Sequence, residues 1–269
     1  MPLPLSLATN VRRRRAIFGA LALGVILAAP CAGDVGLGAG ADDVNDVTAP
    51  AQIQVKRRKI VVPPPTGMVS VMGQDWMLDG ILQSSVDRDN YLEAIFIPAF
   101  IWDNFQQRRQ DDQFLADFAV VQTQKRLSFD DEENCERFGR LGRAMHESFV
   151  LRIASINSPL RQVIDAGSDG AARSAASSVD LDESRLVPLS ILRNDDQTFS
   201  AVCATRYTAM LDGHRRSWMM VVGFAMVLTK DRIVYLYKYK RGPPDPLRVS
   251  AVRRSLAQWT IAVLNANAG

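Results

Sequence analysis

The sequence is poor in the residues that build most metal centres. Its 269 residues include two histidines, His146 and His214, and three cysteines. A catalytic zinc site needs three converging protein ligands, and no HExxH, HxxxH or CxxC spacing is present to supply them. We therefore expect no metal site and no cofactor.

The motifs of the common hydrolases and nucleotide-binding proteins are also missing. There is no GxSxG elbow to present a serine nucleophile and no GxxxxGK loop to cradle phosphates. The glycine-rich segment 36–40 follows no strand, so it does not fit a phosphate-binding loop. These absences predict a protein that is not an enzyme and has no catalytic residues. A hydrolase whose site is assembled from distant residues is the less favoured alternative.

The first 33 residues have the organisation of an export signal. Arg12–Arg15 form a cationic start, 16–29 is an uncharged apolar run, and Cys31–Gly33 offers small residues to a signal peptidase. The run is shorter than the ~20 residues that span a bilayer. We expect cleavage after Gly33 and a periplasmic or secreted protein without a stable membrane span. A retained anchor is the alternative, and the export route stays open.

Charge gives no support to a nucleic-acid partner. The chain carries 32 basic and 29 acidic residues, but four of the basic residues belong to the leader, which has no acid. The remainder holds 28 basic and 29 acidic residues, so the basic pI is a property of the leader. The densest basic run, Lys56–Lys59, is typical of a solvated face, with contact to a polyanion or anionic lipid as the alternative.

The chain divides into three parts on composition. Residues 1–33 are the leader, and 34–66 are expected to form a flexible N-terminal arm and a proline-rich linker. The segment 53–62 alternates like a short strand or extended arm, and Pro63–Pro65 is a stiff spacer. Residues 67–269 then form a single domain.

Two long helices are predicted in that domain. An apolar stripe at three- and four-residue steps predicts a helix over 128–154, capped by Ser128; its residues are Cys135, Phe138, Gly142, Met145 and Phe149. The acidic run 130–133 lies in its first turn, where the helix dipole favours anions. Asp245 and Pro246 predict the start of a second helix, whose apolar stripe includes Trp259.

Strand patterns dominate the last third of the chain. The segment 218–228 is apolar without interruption, which is typical of a strand covered on both faces. Tyr235, Tyr237 and Tyr239 alternate with Lys238 and Lys240. This interleaving is typical of an amphipathic strand at a sheet edge, with stacking on nucleic-acid bases as the disfavoured alternative. The fold class predicted is α+β: a three-layer α/β/α sandwich with a central, mainly antiparallel sheet.

This pattern resembles a known group of proteins. The residues that carry the resemblance are the strands 221–228 and 233–237, the helix with Trp259 that ends at 265–267, and the early strand 92–98. They are similar to uncharacterised exported bacterial proteins with a PsbP-like α/β/α sandwich. That fold is shared with the extrinsic photosystem II subunit and a Ran-binding nuclear import factor. The resemblance implies accessory or binding roles, no enzyme, and no functional residue that can be carried over.

Two further expectations concern the cysteines and the function. Cys135 and Cys203 form a possible disulfide, with two separate buried thiols as the equal alternative; a bond would close a loop of ~69 residues, worth ~4 kcal/mol.

The favoured function is a non-catalytic exported accessory protein that binds or helps to assemble an envelope protein partner. The alternative is a protein that binds a small apolar ligand or lipid, with Met219, Met220 and Met226 lining a cavity. The oligomeric state stays open.

Overall fold

A computed structural model describes residues 49–84, 86, 89–107, 116–126, 130–155, 186–211 and 214–268. They contain nine strands and four helices. In chain order these are β1 (Ala51–Val55), β2 (Arg58–Val62), β3 (Met68–Ser70), α1 (Trp76–Ser84), β4 (Asn90–Pro98), α2 (Ala99–Gln106), β5 (Asp117–Gln124), α3 (Asp131–Ser155), β6 (Val187–Asn194), β7 (Thr198–Leu211), β8 (His214–Thr229), β9 (Arg232–Arg241) and α4 (Pro246–Asn267).

Seven of the strands form one antiparallel sheet. Its order is β3-β4-β5-β9-β8-β7-β6, while β1 and β2 form a separate hairpin. The two-residue turn of β8 and β9 places Lys230 and Asp231 at positive φ, as a type I′ hairpin turn requires. Consecutive hairpins therefore build the β6–β9 half, whereas β5 joins β9 across more than a hundred residues of sequence.

The two longest helices cover opposite faces of this sheet. Neighbouring residues of a strand point to opposite faces. Gly223 of β8 faces α4, and Met226 of the same strand lies against Gly142 of α3. The segment 218–228 is thus covered on both sides, and the predicted three-layer α/β/α sandwich is confirmed.

Gly223 lets α4 approach the sheet closely. A Cβ built at this position would lie 2.8 Å from Cγ1 of Val252 and 3.1 Å from Cδ2 of Leu256. Both of these side chains are fully buried, so they have little room to move. The glycine is required here by the closeness of the helix rather than by its backbone conformation.

The helix starts are set by aspartates. Asp245 caps α4 by accepting from the N–H of Arg248 at 2.8 Å, as predicted, with Pro246 opening the helix. For α3 the cap is Asp130, which accepts from the N–H of Glu132 at 2.9 Å. The predicted cap Ser128 lies outside the described residues, and the helix begins three residues later, because the Asp130 carboxylate satisfies the free N–H groups.

The N-terminal arm includes a strand pair. Residues 51–62 form the β1–β2 hairpin, whose Ile53, Val55, Ile60 and Val62 are buried in the main core. The Trp259 indole donates to the carbonyl of Pro63 at 2.8 Å, so the proline segment packs on α4. The segment 53–62, expected to be a short strand or an extended arm, thus lies in a strand pair that buries its apolar face, while residues 34–48 of the expected flexible arm lie outside the described residues. The leader and the segment 157–185 lie outside the described residues.

Candidate functional site

The strand β9 carries the charged residues of the candidate site, and its position corrects one prediction. It is the fourth of seven strands, not an edge strand. Tyr235, Tyr237 and Tyr239 are each at least 94% buried on the face that packs against α3. Phe118 stacks on Tyr239 with ring centroids 4.4 Å apart. These rings belong to the core, so they offer no exposed platform for stacking bases.

The opposite face of β9 holds a lysine inside the sheet. Lys238 has a side chain only 6% exposed and forms an ion pair with Asp117 of β5. Lys240, two residues on, reaches the other oxygen of the same carboxylate at 3.0 Å. The Lys238 ammonium also lies 3.5 Å from the sulfur of Met68. We call Lys238, Asp117 and Lys240 the buried lysine cluster.

Burial governs the electrostatics of this cluster. Loss of hydration lowers the pKa of Lys238, although the Asp117 carboxylate opposes that shift, and the charge of Lys240 adds to it. A buried charge is tolerated only when it is paired and hydrogen-bonded. Lys238 therefore depends on Asp117, and that carboxylate is shared between two cations.

A cleft opens beside the cluster. Its volume is about 480 Å³, and its lining consists of Lys240, Pro243, Asp245, Leu247, Arg248 and Ala251. Its apolar walls are formed by Pro243, in the loop before α4, and by Leu247 and Ala251, in the first turns of α4. Two cationic side chains, Lys240 and Arg248, provide its polar anchors.

Arg248 is held in place by the loop that precedes α4. Its guanidinium donates to the carbonyl of Pro243 and to the Asp245 carboxylate. Gly242 has φ 122°, and a Cβ there would lie 2.5 Å from Cζ of Arg248. Only glycine fits both the backbone and the guanidinium that packs on it. The loop before α4 thus fixes the orientation of Arg248 at the cleft.

A second ionic cluster lies at the opposite end of the sheet. Asp131, in the first turn of α3, pairs with Arg58 of β2 at 2.6 Å and with Arg232 of β9. Arg58 also approaches Asp231 at 3.7 Å. Hydrogen bonds from Arg58 and then Arg232 hold the pKa of Asp131 below its usual range. We call Arg58, Asp131 and Arg232 the exposed clasp, because it fastens the hairpin to α3 and the sheet and because Arg58 and Asp131 are 45% and 40% exposed; the Arg232 side chain is 3% exposed.

The two cysteines are free thiols, and their possible disulfide is not formed. The Cys135 sulfur lies 3.8 Å from the Asp231 carboxylate, near the start of α3. Cys203 lies within electrostatic reach of Arg152, 17 residues further along that helix, a rise of roughly 25 Å. Burial raises the pKa of Cys203 to about 12, and burial together with Asp231 raises that of Cys135. Neither thiol is activated as a nucleophile.

The other side chains considered from the sequence serve the core or stand apart. His146 lies on α3 and His214 begins β8. No three His, Cys, Asp or Glu side chains are placed to share a metal ion within the described ranges. Met220 and Met226 are fully buried. Neither they nor Met219 are among the residues that line the cleft beside the buried lysine cluster.

Exposed apolar side chains flank the edge strand β3. Trp76 is 86% exposed in the first turn of α1, and Phe100 is 66% exposed at the start of α2. Met72, two residues beyond β3, is 40% exposed. Sequence reasoning missed this surface, since β3 and α1 are short and carry no clear period. The structure marks this surface by the exposed side chain of Trp76, a residue that follows the edge strand closely in the chain.

Comparisons with known proteins add little to this picture. No protein-family model and no curated protein matches the chain. Among solved structures it is similar to the crystal structure of the Saccharomyces cerevisiae Ran-binding protein Mog1p. The TM-score is 0.33 at 11% identity, covering 80% of this chain and 94% of that chain. At that score the likeness carries no argument, and the architecture rests on the strand order and helix packing. None of the described helices has the length and apolar character needed to cross a membrane.

Proposed function

We propose that this chain is a non-catalytic, exported accessory protein that binds an extended segment of another protein along β3. The observation that carries the proposal is the Trp76 side chain, which is 86% exposed and follows the edge strand β3 by six residues in the chain. Large exposed apolar side chains mark protein interaction sites when they gather around one surface. Tryptophan is also among the residues that contribute most to binding energy at protein interfaces.

The edge itself supplies the backbone groups. β3 pairs only with β4 among the described strands, and the outward N–H of Met68 already donates to the Pro65 carbonyl at 3.0 Å, so the backbone groups proposed for a further strand are those of Ser70. An extended peptide can add to such an edge by main-chain hydrogen bonds and place alternate side chains in flanking apolar surface. Met72 and Phe100 stand at the two ends of β3, where they can receive those side chains.

Acidic residues near β3 indicate which kind of segment would bind there. Asp75 immediately precedes Trp76, and Asp103 is exposed on α2 three residues after Phe100. Opposite charge steers a partner to its surface and disfavours others. The occupant we propose is therefore an extended segment with alternating apolar and basic side chains.

A photocrosslinking amino acid in the full chain tests this site. Placed at Ser70 on β3, it is expected to form an adduct with one protein, identified by mass spectrometry. The same probe at Ser190 on β6 serves as the matched edge control. The Trp76→Ala and Phe100→Ala replacements are expected to remove the Ser70 adduct, while Ile261→Ala, which truncates an exposed side chain on α4, leaves it.

Several results would contradict the proposal. They are no adduct from Ser70, an equal adduct from Ser190, or an adduct that survives loss of both aromatic side chains. An adduct with a second copy of the chain would show edge-to-edge dimerisation instead of partner binding. Export is tested separately by sequencing the N-terminus of the mature protein, which is expected to begin near Asp34.

A further inference from the structure

We infer that the cleft beside the buried lysine cluster binds a small organic anion, with a carboxylate or phosphate group on a compact apolar body. The inference uses residues other than those of the β3 edge, and either can fail without the other. Charge, shape and preorganisation each support it.

The charge around the cleft is unbalanced. Lys238, Lys240 and Arg248 supply three cations, whereas Asp117 and Asp245 supply the two carboxylates that pair with them. One positive charge is thus in excess among these five side chains. The excess lies at Lys240, whose side chain is 39% exposed, so an anion from solution can reach it. An anion placed against Lys240 would complete the pairing.

The shape fits a small molecule with an apolar body. A volume of about 480 Å³ lies within the range of small-molecule sites. Pro243, Leu247 and Ala251 supply apolar walls, and Leu247 is 61% exposed. Such an apolar side chain gains burial when an apolar ligand covers it.

The cationic anchors are preorganised. Asp245, the Pro243 carbonyl and the backbone at Gly242 fix the Arg248 guanidinium. Asp117 fixes the Lys240 ammonium, which is 39% exposed and therefore accessible. Anchors that are already ordered lose little entropy when a ligand binds. The ligand's anionic group is expected at Lys240, and its apolar body against Leu247 and Ala251.

The experiment is a titration of the full chain followed by NMR of its methyl and amide signals. The probes are octanoate, octyl phosphate and octanol, which share one apolar body. Octanoate or octyl phosphate is expected to bind saturably, at least tenfold more tightly than octanol, which corresponds to about 1.4 kcal/mol. The tighter of the two anions identifies the preferred head group. Shifts are expected at Leu247 and Ala251.

Charge variants separate recognition at the cleft from general attraction. Lys240→Gln is expected to weaken anion binding about tenfold, and Lys240→Arg to retain it. Arg253→Gln removes the same charge from an exposed position on α4 outside the cleft lining and is expected to leave the affinity unchanged. The inference is overturned if neither anion saturates below about 10 mM, if octanol binds equally well, or if both glutamine variants weaken binding equally.

Discussion

The two ionic clusters of this protein share one arrangement, an aspartate between two cations, but lie in different surroundings. In each, one aspartate is shared by two cations: Asp117 by Lys238 and Lys240, and Asp131 by Arg58 and Arg232. The exposed clasp joins three elements that are distant in sequence, and its carboxylate is 40% exposed. The buried lysine cluster joins only neighbouring strands and lies beside a cleft. Each cluster contains one nearly buried cation, Lys238 at 6% and Arg232 at 3% side-chain exposure, so the adjacent cleft is what distinguishes the buried lysine cluster.

Removing Asp117 tests the buried side of this comparison with the largest effect. Asp117→Ala leaves Lys238 without its buried partner, and we expect a loss of about 3 kcal/mol in the free energy of unfolding. Urea denaturation measures it. Asp117→Leu combined with Lys238→Met is expected to recover most of the loss, because no buried charge remains. A loss below about 1 kcal/mol would place the cluster with ordinary surface ion pairs.

The same variant has a distinctive pH dependence. Burial already lowers the pKa of Lys238, and without Asp117 the pKa is expected to fall further. A lysine with a lowered pKa in the folded state binds fewer protons than in the unfolded state, so stability rises with pH. The deficit of Asp117→Ala should therefore shrink as pH rises towards the unfolded lysine value of about 10.4. A deficit independent of pH would contradict this account.

Replacement of Gly242 tests the cleft without removing a charge. Gly242→Ala is expected to cost about 2 kcal/mol, because alanine tolerates φ 122° poorly and its Cβ would collide with Arg248. Thermal unfolding measures the cost. Gly139→Ala on α3, where a Cβ would lie 3.6 Å from its nearest neighbour, is the matched control and is expected to be neutral or stabilising. Equal losses in both variants would remove the special role of Gly242.

The exposed clasp should respond on the acid side and more weakly. Arg58 and Arg232 depress the pKa of Asp131, so its contribution is present above the unfolded value of about 3.9 and is lost as pH falls through the folded value. Asp131→Asn is expected to destabilise the protein at pH 7 by less than either preceding variant. The difference from wild type should vanish in acid and diminish in high salt. A larger loss than that of Asp117→Ala would reverse the comparison.

The smallest expected effect is a gain at the turn next to the clasp. Lys56 has φ 56° in the two-residue turn between β1 and β2, a position that favours glycine. Lys56→Gly is expected to stabilise the protein by about 0.5 kcal/mol, since relief of strain exceeds the added flexibility of the unfolded chain. Arg57→Gly, at the other turn position, should not stabilise. Denaturant midpoints distinguish the two.

Sequence patterns predicted the parts of the fold that depend on local periodicity. The uninterrupted apolar run 218–228 predicted a strand covered on both faces, and the Asp245–Pro246 pair predicted the start of α4. Both are confirmed because burial and capping leave direct marks on neighbouring residues. The buried position of β9 was missed, since the alternation of tyrosine and lysine is typical of an edge strand. Only Asp117, far away in sequence, makes a lysine acceptable inside the sheet.

The candidate site could not be predicted for the same reason. Lys240 and Arg248 are ordinary basic residues in the sequence, and their common cleft follows from the packing of α4 on the sheet. The packing of the hairpin 51–62 could not be predicted either, because its contacts are with α4 and β4, which sequence spacing does not reveal. Composition held no information about where charges would meet.

The side chain of Asn267 has a consequence for the order of folding. It accepts from the N–H of Val61 at 2.9 Å and donates to the carbonyl of the same residue at 2.7 Å, across 206 residues of sequence. The last helix thus closes the first hairpin, and closing so long a loop is slow. The chain is synthesised from its N-terminus, so Val61 of the hairpin lacks its partner Asn267 until the last turn of α4 has been made. In the described part of the chain, the contact between the first hairpin and the last helix is therefore expected to form late.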